Sequence, residues 1–304
     1  MTNWPVFFTT LLSVLIFATS CQQPAPEPIE PPTTEPNIPA PDIVQIPQKV
    51  SFHDICADIL KDYVDDNGMV NYNKLRLKRY QLKTVLDKFD TLKVDEYNSW
   101  PKEDKIAFWI NAYNMQMLNI IVKNYPIKPS RIFSVFWGPK SIRHIKGDIN
   151  GIWNNYKFIV MDEEFTLGEI EKRIFHKEFN DPRVFFALSR ASLSGPPLRS
   201  EPYYGRKLHE QLDDQTKKFL ANPRGFRIDR DASAVHLSAL LQPTWFGNEF
   251  VGKYATDKKF KDKNPATRAV LNFITNYVSA QDVSFLEVEN YSVRYIAYDW
   301  TLNE

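Results

Sequence analysis

The side chains with the strongest intrinsic chemistry in this sequence are two cysteines and five histidines. A cysteine thiolate can attack an acyl carbon, and a histidine can move the proton that such an attack requires. Cys56 lies in the run HDICADIL, with apolar residues at helical spacing, so it is predicted to pack in a core. The histidines show no HxxxH or HxH spacing beside carboxylates, so the sequence predicts no metal site.

Hydroxyl groups cluster in one loop. The stretch DPRVFFALSRASLSGPPLR predicts a buried strand, VFFAL, followed by a Ser/Gly/Pro-rich loop from Ser189 to Pro197. Loops at the ends of buried strands are common places for functional sites. Ser189, Ser192 and Ser194 could act as nucleophiles there, but only if a base activates them.

Glu171 is the candidate carboxylate, and it lies beside the core face of the helix that FTLGEIEKRIF predicts. The adjacent Lys172 could serve as a base only if burial lowered its pKa substantially. His176 lies about 140° from Glu171 around an α-helix and is therefore predicted not to share its face. Asn111 and Asn114 sit inside an apolar helix and each need a buried hydrogen-bond partner. They either tie down a neighbouring loop or point into a cleft, and both alternatives stay open.

The elements that must position these residues are mainly helical in the first half. Residues 51–66 predict a helix that Asp66-Asn67-Gly68 ends, and residues 104–126 predict a helix with a buried face that ends at Pro126. FTLGEIEKRIF begins with a capping-box pattern. Later, VHLSALL predicts a helix, whereas VSFLEVE and NYSVRYIAYDW predict strands. This order favours a single α+β domain over residues 50–304, with a helix-rich first half and a mixed or antiparallel sheet later.

The N-terminal sequence predicts a targeting signal followed by a spacer. Residues 1–20 form an apolar run that ends in Ala-Thr-Ser before Cys21, which resembles a bacterial lipoprotein signal whose cysteine becomes lipidated. A short membrane anchor is the alternative, at the lower length limit for spanning. Residues 21–49 hold nine of the 21 prolines and predict an extended, semi-rigid tether. Because Gln22 rather than Asp follows Cys21, the resemblance favours the outer membrane.

Composition excludes several partners. A formal net charge of +1 gives no electrostatic case for nucleic acid. One local cluster of cations is predicted to be a solvated helix face, namely Lys74, Arg76, Lys78, Arg79 and Lys83. GxxxxGK and GxGxxG are both missing from the sequence, so no nucleotide cofactor is expected. The expected partners are the membrane, through the lipid anchor, and a peptide, glycan or protein ligand.

Several stretches together resemble the domain-of-unknown-function 547 family. In order they are VDDNGMVNYNKL, KIAFWINAYNMQMLNIIVKNYP, FTLGEIEKRI, DPRVFFALSRASLSGPPLR, LSALLQPTWFGNEF and YDWTLN. They extend over residues 51–304, and FWINAYN and YDWTLN are each quite specific. The resemblance implies a domain that is common in bacterial lipoproteins and has no assigned function.

The family pattern also implies a site that this sequence has lost. Typical bacterial members carry a histidine after the IE of the first helix, a second histidine in RxHFAL and cysteines in a loop ending CPP. These groups look like the site of a thiol hydrolase with a papain-like arrangement. In this chain the corresponding positions hold Lys172, Phe185, Arg190 and Gly195. The candidate cleft retains or gains Asn111, Asn114, Glu171, Arg183, Arg190, Ser192 and Ser194.

Two functions follow from this comparison. The first is a catalytically degenerate relative of a thiol hydrolase that binds a ligand in the old cleft. An Arg190 side chain that fills the cleft would weaken binding there and favour a structural role. The second is an active hydrolase of peptide or amide bonds with a relocated nucleophile, which needs a loop serine or Cys56 within reach of a base.

Overall fold

The computed structural model describes residues 51–129, 140–147 and 151–304. The predicted signal peptide, Cys21 and the predicted tether lie outside the described residues. From residue 51 onward the described residues belong to one compact unit. Its α-helices are α1 (Ala57–Tyr63), α2 (Tyr72–Leu77), α3 (Arg79–Thr91), α4 (Val94–Asn98), α5 (Lys102–Asn124), α6 (Gly151–Asn154), α7 (Leu167–Glu169), α8 (Leu208–Ala221), α9 (Pro243–Tyr254), α10 (Pro265–Ile274) and α11 (Ala280–Glu287). Short 3-10 helices cover Phe52–Cys56, Ile142–Gly147, Pro182–Phe186, Gly205–Lys207 and Ala239–Leu241.

Helix α5 lies in the core of the described domain. Every residue from Ile106 to Leu118 is buried, so the helix is enclosed on all sides rather than along one stripe. A helix that is covered all round forms the core of a larger domain. The sequence therefore predicted the helix correctly but underestimated its burial. Asn111 and Asn114 lie at its middle, and this position places them among the elements that wrap around it.

The helix that carries Glu171 is not an ordinary α-helix. Thr166 caps it as predicted, because its hydroxyl accepts from the Glu169 N–H and the Glu169 carboxylate accepts from the Thr166 N–H. After the single turn of α7, the chain continues as a π-helix over Ile170–Phe179. Asn180, with φ 42°, ends it. The periodicity of the sequence predicted a helix but not this wider winding.

Three local predictions were wrong. The first three residues of VFFAL lie in the buried 3-10 helix Pro182–Phe186 rather than in a strand, because Asp181 caps the segment and Pro182 occupies its first turn. VHLSALL begins as strand β4, Ala234–Ser238, and VSFLEVE lies in α11, where Ser279 caps the helix through Asp282 N–H. Short apolar runs do not distinguish a buried strand from a buried helix by pattern alone.

In the described part of the chain, five strands form two small sheets. Strands β1 (Phe158–Val160) and β2 (Glu163–Phe165) make an antiparallel hairpin. Strands β3 (Phe226–Asp229), β4 and β5 (Ser292–Ile296) make a mixed sheet in the order β3-β4-β5. The pair β3-β4 is antiparallel, whereas β4-β5 is parallel. The α+β class is confirmed, and so are the strand in NYSVRYIAYDW and the mixed sheet late in the chain.

The last residues close the domain. Thr301 bridges to Ser141, and Leu302 and Asn303 are buried. Within the described part of the chain, none of the helices combines the length and the apolarity that crossing a bilayer would need.

Candidate functional site

A buried ion pair occupies the place where the family pattern predicts reactive groups. Arg190 is 1% exposed, and its Nη1 donates to Glu171 Oε1 over 2.7 Å. Its Nη2 donates to Glu171 Oε2 over 3.2 Å, which makes the contact bidentate. The Glu171 side chain is 14% exposed. A position that could have held a thiol therefore holds a cation, which uses both oxygens of the retained carboxylate.

Two aromatic side chains complete this cluster. The hydroxyl of Tyr113 donates to Glu171 Oε1 over 2.6 Å and accepts from Arg190 Nη1 at 3.3 Å. The indole N–H of Trp153 also donates to the Tyr113 hydroxyl, over 3.0 Å. The guanidinium carbon of Arg190 lies 5.7 Å from the Trp153 ring centroid. Carboxylate, cation, hydroxyl and indole thus bond to one another in one buried group.

The surroundings shift the pKa values of Arg190 and Tyr113 in this cluster. Burial alone lowers the pKa of the Arg190 guanidinium, but attraction to Glu171 outweighs it, so the pKa of Arg190 is raised. Burial raises the pKa of the Tyr113 hydroxyl well above its usual value, and the Arg190 charge opposes this only in part. Tyr113 is therefore a neutral donor at physiological pH.

The serine loop is fastened by the end of the chain. The Ser192 hydroxyl lies 2.8 Å from the Tyr298 hydroxyl, and the Ser194 hydroxyl accepts from the Asp299 N–H over 2.9 Å. The Ser189 hydroxyl accepts from the Ala191 N–H over 3.3 Å. An active hydrolase with a relocated nucleophile would need one of these hydroxyls beside a base. The contacts that the three hydroxyls make hold the loop in place.

The remaining family positions are distributed around the cluster. Lys172 is exposed rather than buried. Phe185 is buried, and its ring centroid lies 4.6 Å from that of His176. A Cβ at Gly195 would approach the Arg190 Cβ to 2.8 Å, so the two positions that correspond to loop cysteines adjoin each other.

The buried side-chain amides of Asn111 and Asn114 form hydrogen bonds with main-chain groups of neighbouring segments. Asn114 Nδ2 donates to the Ala187 carbonyl over 3.0 Å, and its Oδ1 accepts from the Ser189 N–H over 2.8 Å. Asn111 does the same for Tyr203, accepting from its N–H and donating to its carbonyl, each over 2.9 Å. Both side chains thus fix the segment that contains the serine loop and its continuation, which is the tethering role considered for them.

A second buried network extends from Asn111. Its Nδ2 lies 3.3 Å from His53 Nδ1, while His53 Nε2 lies 3.2 Å from Asp104 Oδ1. Because Asn111 Oδ1 is engaged by Tyr203, its N–H group faces the ring, and His53 Nδ1 must accept. Burial lowers the pKa of His53, although Asp104 raises it in part. His53 is therefore held as a neutral ring with both nitrogens bonded.

Arg183 and Cys56 have other partners and surroundings. The Arg183 guanidinium makes a bidentate contact with Asp181, reaches Asp213 Oδ1 over 2.9 Å and lies 2.9 Å from His209 Nδ1. Cys56 is completely buried, and burial raises the pKa of its thiol. Among the described residues, no three side chains of the metal-binding types come together.

Comparison with known families supports the assignment from motifs. Residues 97–220 match the model of a family described as a protein of unknown function, DUF547. The match contains the Asn111 and Asn114 amides, Glu171 and the serine loop. Comparisons with curated proteins and with solved structures gave no match. The DUF547 match supports the domain family and leaves the activity open.

Sequence reasoning missed three side chains that contact the buried cluster or the serine loop, namely Tyr113, Trp153 and Tyr298. Tyr113 lies inside FWINAYN, between the two asparagines, and a buried tyrosine hydroxyl next to two buried amides was the available signal. Trp153 and Tyr298 carried no such signal. They come from distant segments, and only the fold places them against Arg190 and Ser192.

Proposed function

We propose that this chain is a lipid-anchored cell-envelope protein whose domain is a catalytically degenerate relative of a thiol hydrolase and acts as a binding module. The observation that carries the proposal is the buried, bidentate Arg190–Glu171 ion pair. In a thiol hydrolase, an acid or amide would orient a histidine beside a thiolate. Here the carboxylate is bound to a guanidinium, which can neither attack nor exchange protons at physiological pH.

The same ion pair argues against a ligand in the old cleft. Arg190 fills this space and is 1% exposed, so a ligand that entered would have to displace a charge paired with Glu171. Breaking a buried ion pair by removing one partner costs about 3–5 kcal/mol. We therefore assign ligand binding to the outer surface of the domain and a structural role to the former cleft.

The anchor is proposed from the sequence. An apolar run before Cys21, followed by a proline-rich stretch, suits a lipidated N-terminus with a spacer that holds the domain away from the bilayer. A single acyl chain binds membranes weakly, so stable anchoring requires more than one. Lipidation at Cys21 together with its modified amine would supply them, and Gln22 favours the outer membrane as the destination.

Cleavage assays test the loss of catalysis. The compact unit that begins at residue 49 would be incubated with cell-wall fragments and a mixed peptide pool, and products would be read by mass spectrometry. We expect no cleavage, with a cooperative thermal transition as proof of folding. Cleavage that Ser192→Ala or Ser194→Ala abolishes, while Ser200→Ala does not, would overturn the proposal in favour of a relocated serine nucleophile.

Labelling tests the anchor separately. The full chain would be expressed with a radiolabelled fatty acid, and membrane and soluble fractions would be compared. We expect label and membrane association in the wild type and loss of the label in Cys21→Ser, while Cys56→Ser retains it. Label-free membrane association of the wild type would instead indicate the short membrane anchor.

A further inference from the structure

A large cavity that the described residues form lies away from the Arg190–Glu171 cluster. Its volume is about 880 Å³, within the range of about 300–1,000 Å³ that small-molecule sites occupy. Helix α3 with the end of α2, the C-terminal half of α5, and strand β1 form its walls. It contains part of the cation cluster that the sequence predicted to be a solvated helix face.

Positive charge dominates this cavity. Its lining cations are Arg76, Arg79, Lys83, Lys123 and Lys157, against the two carboxylates of Asp87 and Asp90. Lys83 pairs with Asp87 over 2.7 Å, and Lys157 pairs with Glu164 over 2.6 Å. Arg76, Arg79 and Lys123 have no carboxylate partner among the described residues, so three cations remain available to an anion.

Apolar and aromatic surface lies between these charges. Tyr80 is 61% exposed and Ile159 is 46% exposed, and both line the cavity. They belong to a small group of large hydrophobic side chains that the described surface exposes this strongly. The guanidinium carbon of Arg76 lies 5.9 Å from the Tyr125 ring centroid, which holds the cation against an aromatic face.

One buried and one half-buried amide, those of Gln116 and Asn119, add directional hydrogen bonding. Gln116 is 4% exposed and lines the cavity, and its Oε1 accepts from Asn119 Nδ2 over 3.2 Å. Gln116 Nε2 and Asn119 Oδ1 have no hydrogen-bond partner among the described residues. A donor and an acceptor are therefore available side by side, next to unpaired cations and an exposed tyrosine.

We propose that this cavity binds an anionic glycan, an oligosaccharide that carries carboxylate or phosphate groups. Cations bind the anionic groups, the amides bond sugar hydroxyls, and Tyr80 packs on the apolar face of a sugar ring. The inference deepens the proposed binding function by naming its site and ligand class. A bilayer is a poorer occupant, because its flat surface does not fill a concave cavity with amides in its wall.

Binding measurements by calorimetry test the proposal directly. The compact unit would be titrated with tetragalacturonate, a sialic acid tetramer and a phosphorylated mannose oligosaccharide. Maltotetraose tests whether an uncharged sugar binds, and tetraglutamate tests whether negative charge without a sugar is enough. Phosphatidylglycerol vesicles test whether the site binds an anionic membrane surface. We expect at least one acidic oligosaccharide to bind, more weakly at high salt because charge contributes, and all three controls to bind more weakly or not at all.

Point variants locate the site. Arg79→Ala and Lys123→Ala should each weaken binding about tenfold, the loss of one charge-assisted hydrogen bond. Tyr80→Ala should also weaken it. Lys78→Ala is the matched control, since this exposed neighbour does not line the cavity. All four positions are exposed, and a thermal melt checks that each variant folds.

The outcomes separate this inference from the proposed function. If no acidic oligosaccharide binds, if tetraglutamate or vesicles bind equally well, or if Lys78→Ala weakens binding as much as Arg79→Ala, the glycan site is overturned. The catalytic degeneracy is judged independently by the cleavage assay, so either proposal can fail while the other stands.

Discussion

At the scale of single residues, the contact between Glu171 and Arg190 is the ion pair of the buried cluster that includes Tyr113. The two partners differ in burial, because Arg190 is 1% exposed and the Glu171 side chain is 14% exposed. An uncompensated charge costs more where water cannot reach it. Removing the carboxylate should therefore be worse for the fold than removing the guanidinium.

Urea denaturation of the two single variants and of their double variant tests this asymmetry. Glu171→Gln should lower the free energy of unfolding by about 3 kcal/mol, since it leaves a buried cation unpaired. Arg190→Met should cost about 1–2 kcal/mol, because Glu171 keeps the Tyr113 hydroxyl and some water. The double variant should recover most of the loss. Glu163→Gln, in an exposed pair with Arg173, is the control and should cost below about 1 kcal/mol.

His53 makes stability depend on pH. Its ordinary pKa is 6.5, and burial lowers it in the folded protein. Below pH 6.5 the unfolded chain takes up a proton that the folded ring resists. The His53 contribution is therefore complete above this pH and is lost as the pH falls toward the lowered pKa, by at most about 1.4 kcal/mol per pH unit.

The measurement is the free energy of unfolding between pH 7.5 and pH 5. The pH is changed in steps of about one unit. His53→Gln should have a shallower decline than the wild type over this pH range. Equal slopes for the wild type and His53→Gln would contradict the assignment of the neutral ring between Asp104 and Asn111.

At the scale of elements, the π-helix over Ile170–Phe179 changes which residues share a face. Residues five apart, such as Glu171 and His176, were predicted to diverge around an α-helix. In a π-helix the backbone bonds also join residues five apart, so these two positions lie about one turn apart on a similar side. The expected angular separation was wrong because its premise, an α-helical winding, was wrong.

The start of this helical segment depends on its cap. Thr166→Ala removes the side-chain acceptor of the Glu169 N–H and should lower the free energy of unfolding by about 1 kcal/mol. Thr91→Ala, whose exposed hydroxyl donates to the Asp87 carbonyl at the end of α3, should change it by less than about 0.5 kcal/mol. Equal effects of the two variants in thermal or urea unfolding would show that the capping box contributes nothing specific.

At the scale of the whole molecule, the C-terminal segment joins parts of the chain that are far apart in sequence. Asn303 Oδ1 accepts from the Tyr72 hydroxyl over 2.9 Å, and its Nδ2 donates to the Gly68 carbonyl over 3.0 Å. The Thr301 carbonyl accepts from the Leu193 N–H over 2.8 Å. The early turn, the serine loop and the chain end thus support one another.

Asn303→Ala should therefore act over the whole domain. It leaves a buried hydroxyl and a buried carbonyl unpaired and should lower the free energy of unfolding by about 1–3 kcal/mol. Asn98→Ala, at the exposed last residue of α4, should stay within about 0.5 kcal/mol. Denaturant unfolding followed by tryptophan fluorescence would measure both, and a neutral Asn303→Ala would contradict the role of the segment.

The sequence by itself determined the long helix α5, the capping box at Thr166, the α+β class, and the absence of cysteine and histidine at the family positions in the segment 171–195. These features depend on local patterns, on composition or on motifs, and each of them can be read within a short window. The tertiary structure alone decided that Arg190 lies against Glu171, that Trp153 joins their cluster, that Tyr298 contacts Ser192, and that the first part of VFFAL is helical. Contacts between distant segments select one of several conformations that a short apolar run allows, because burial and hydrogen bonding outweigh local propensity.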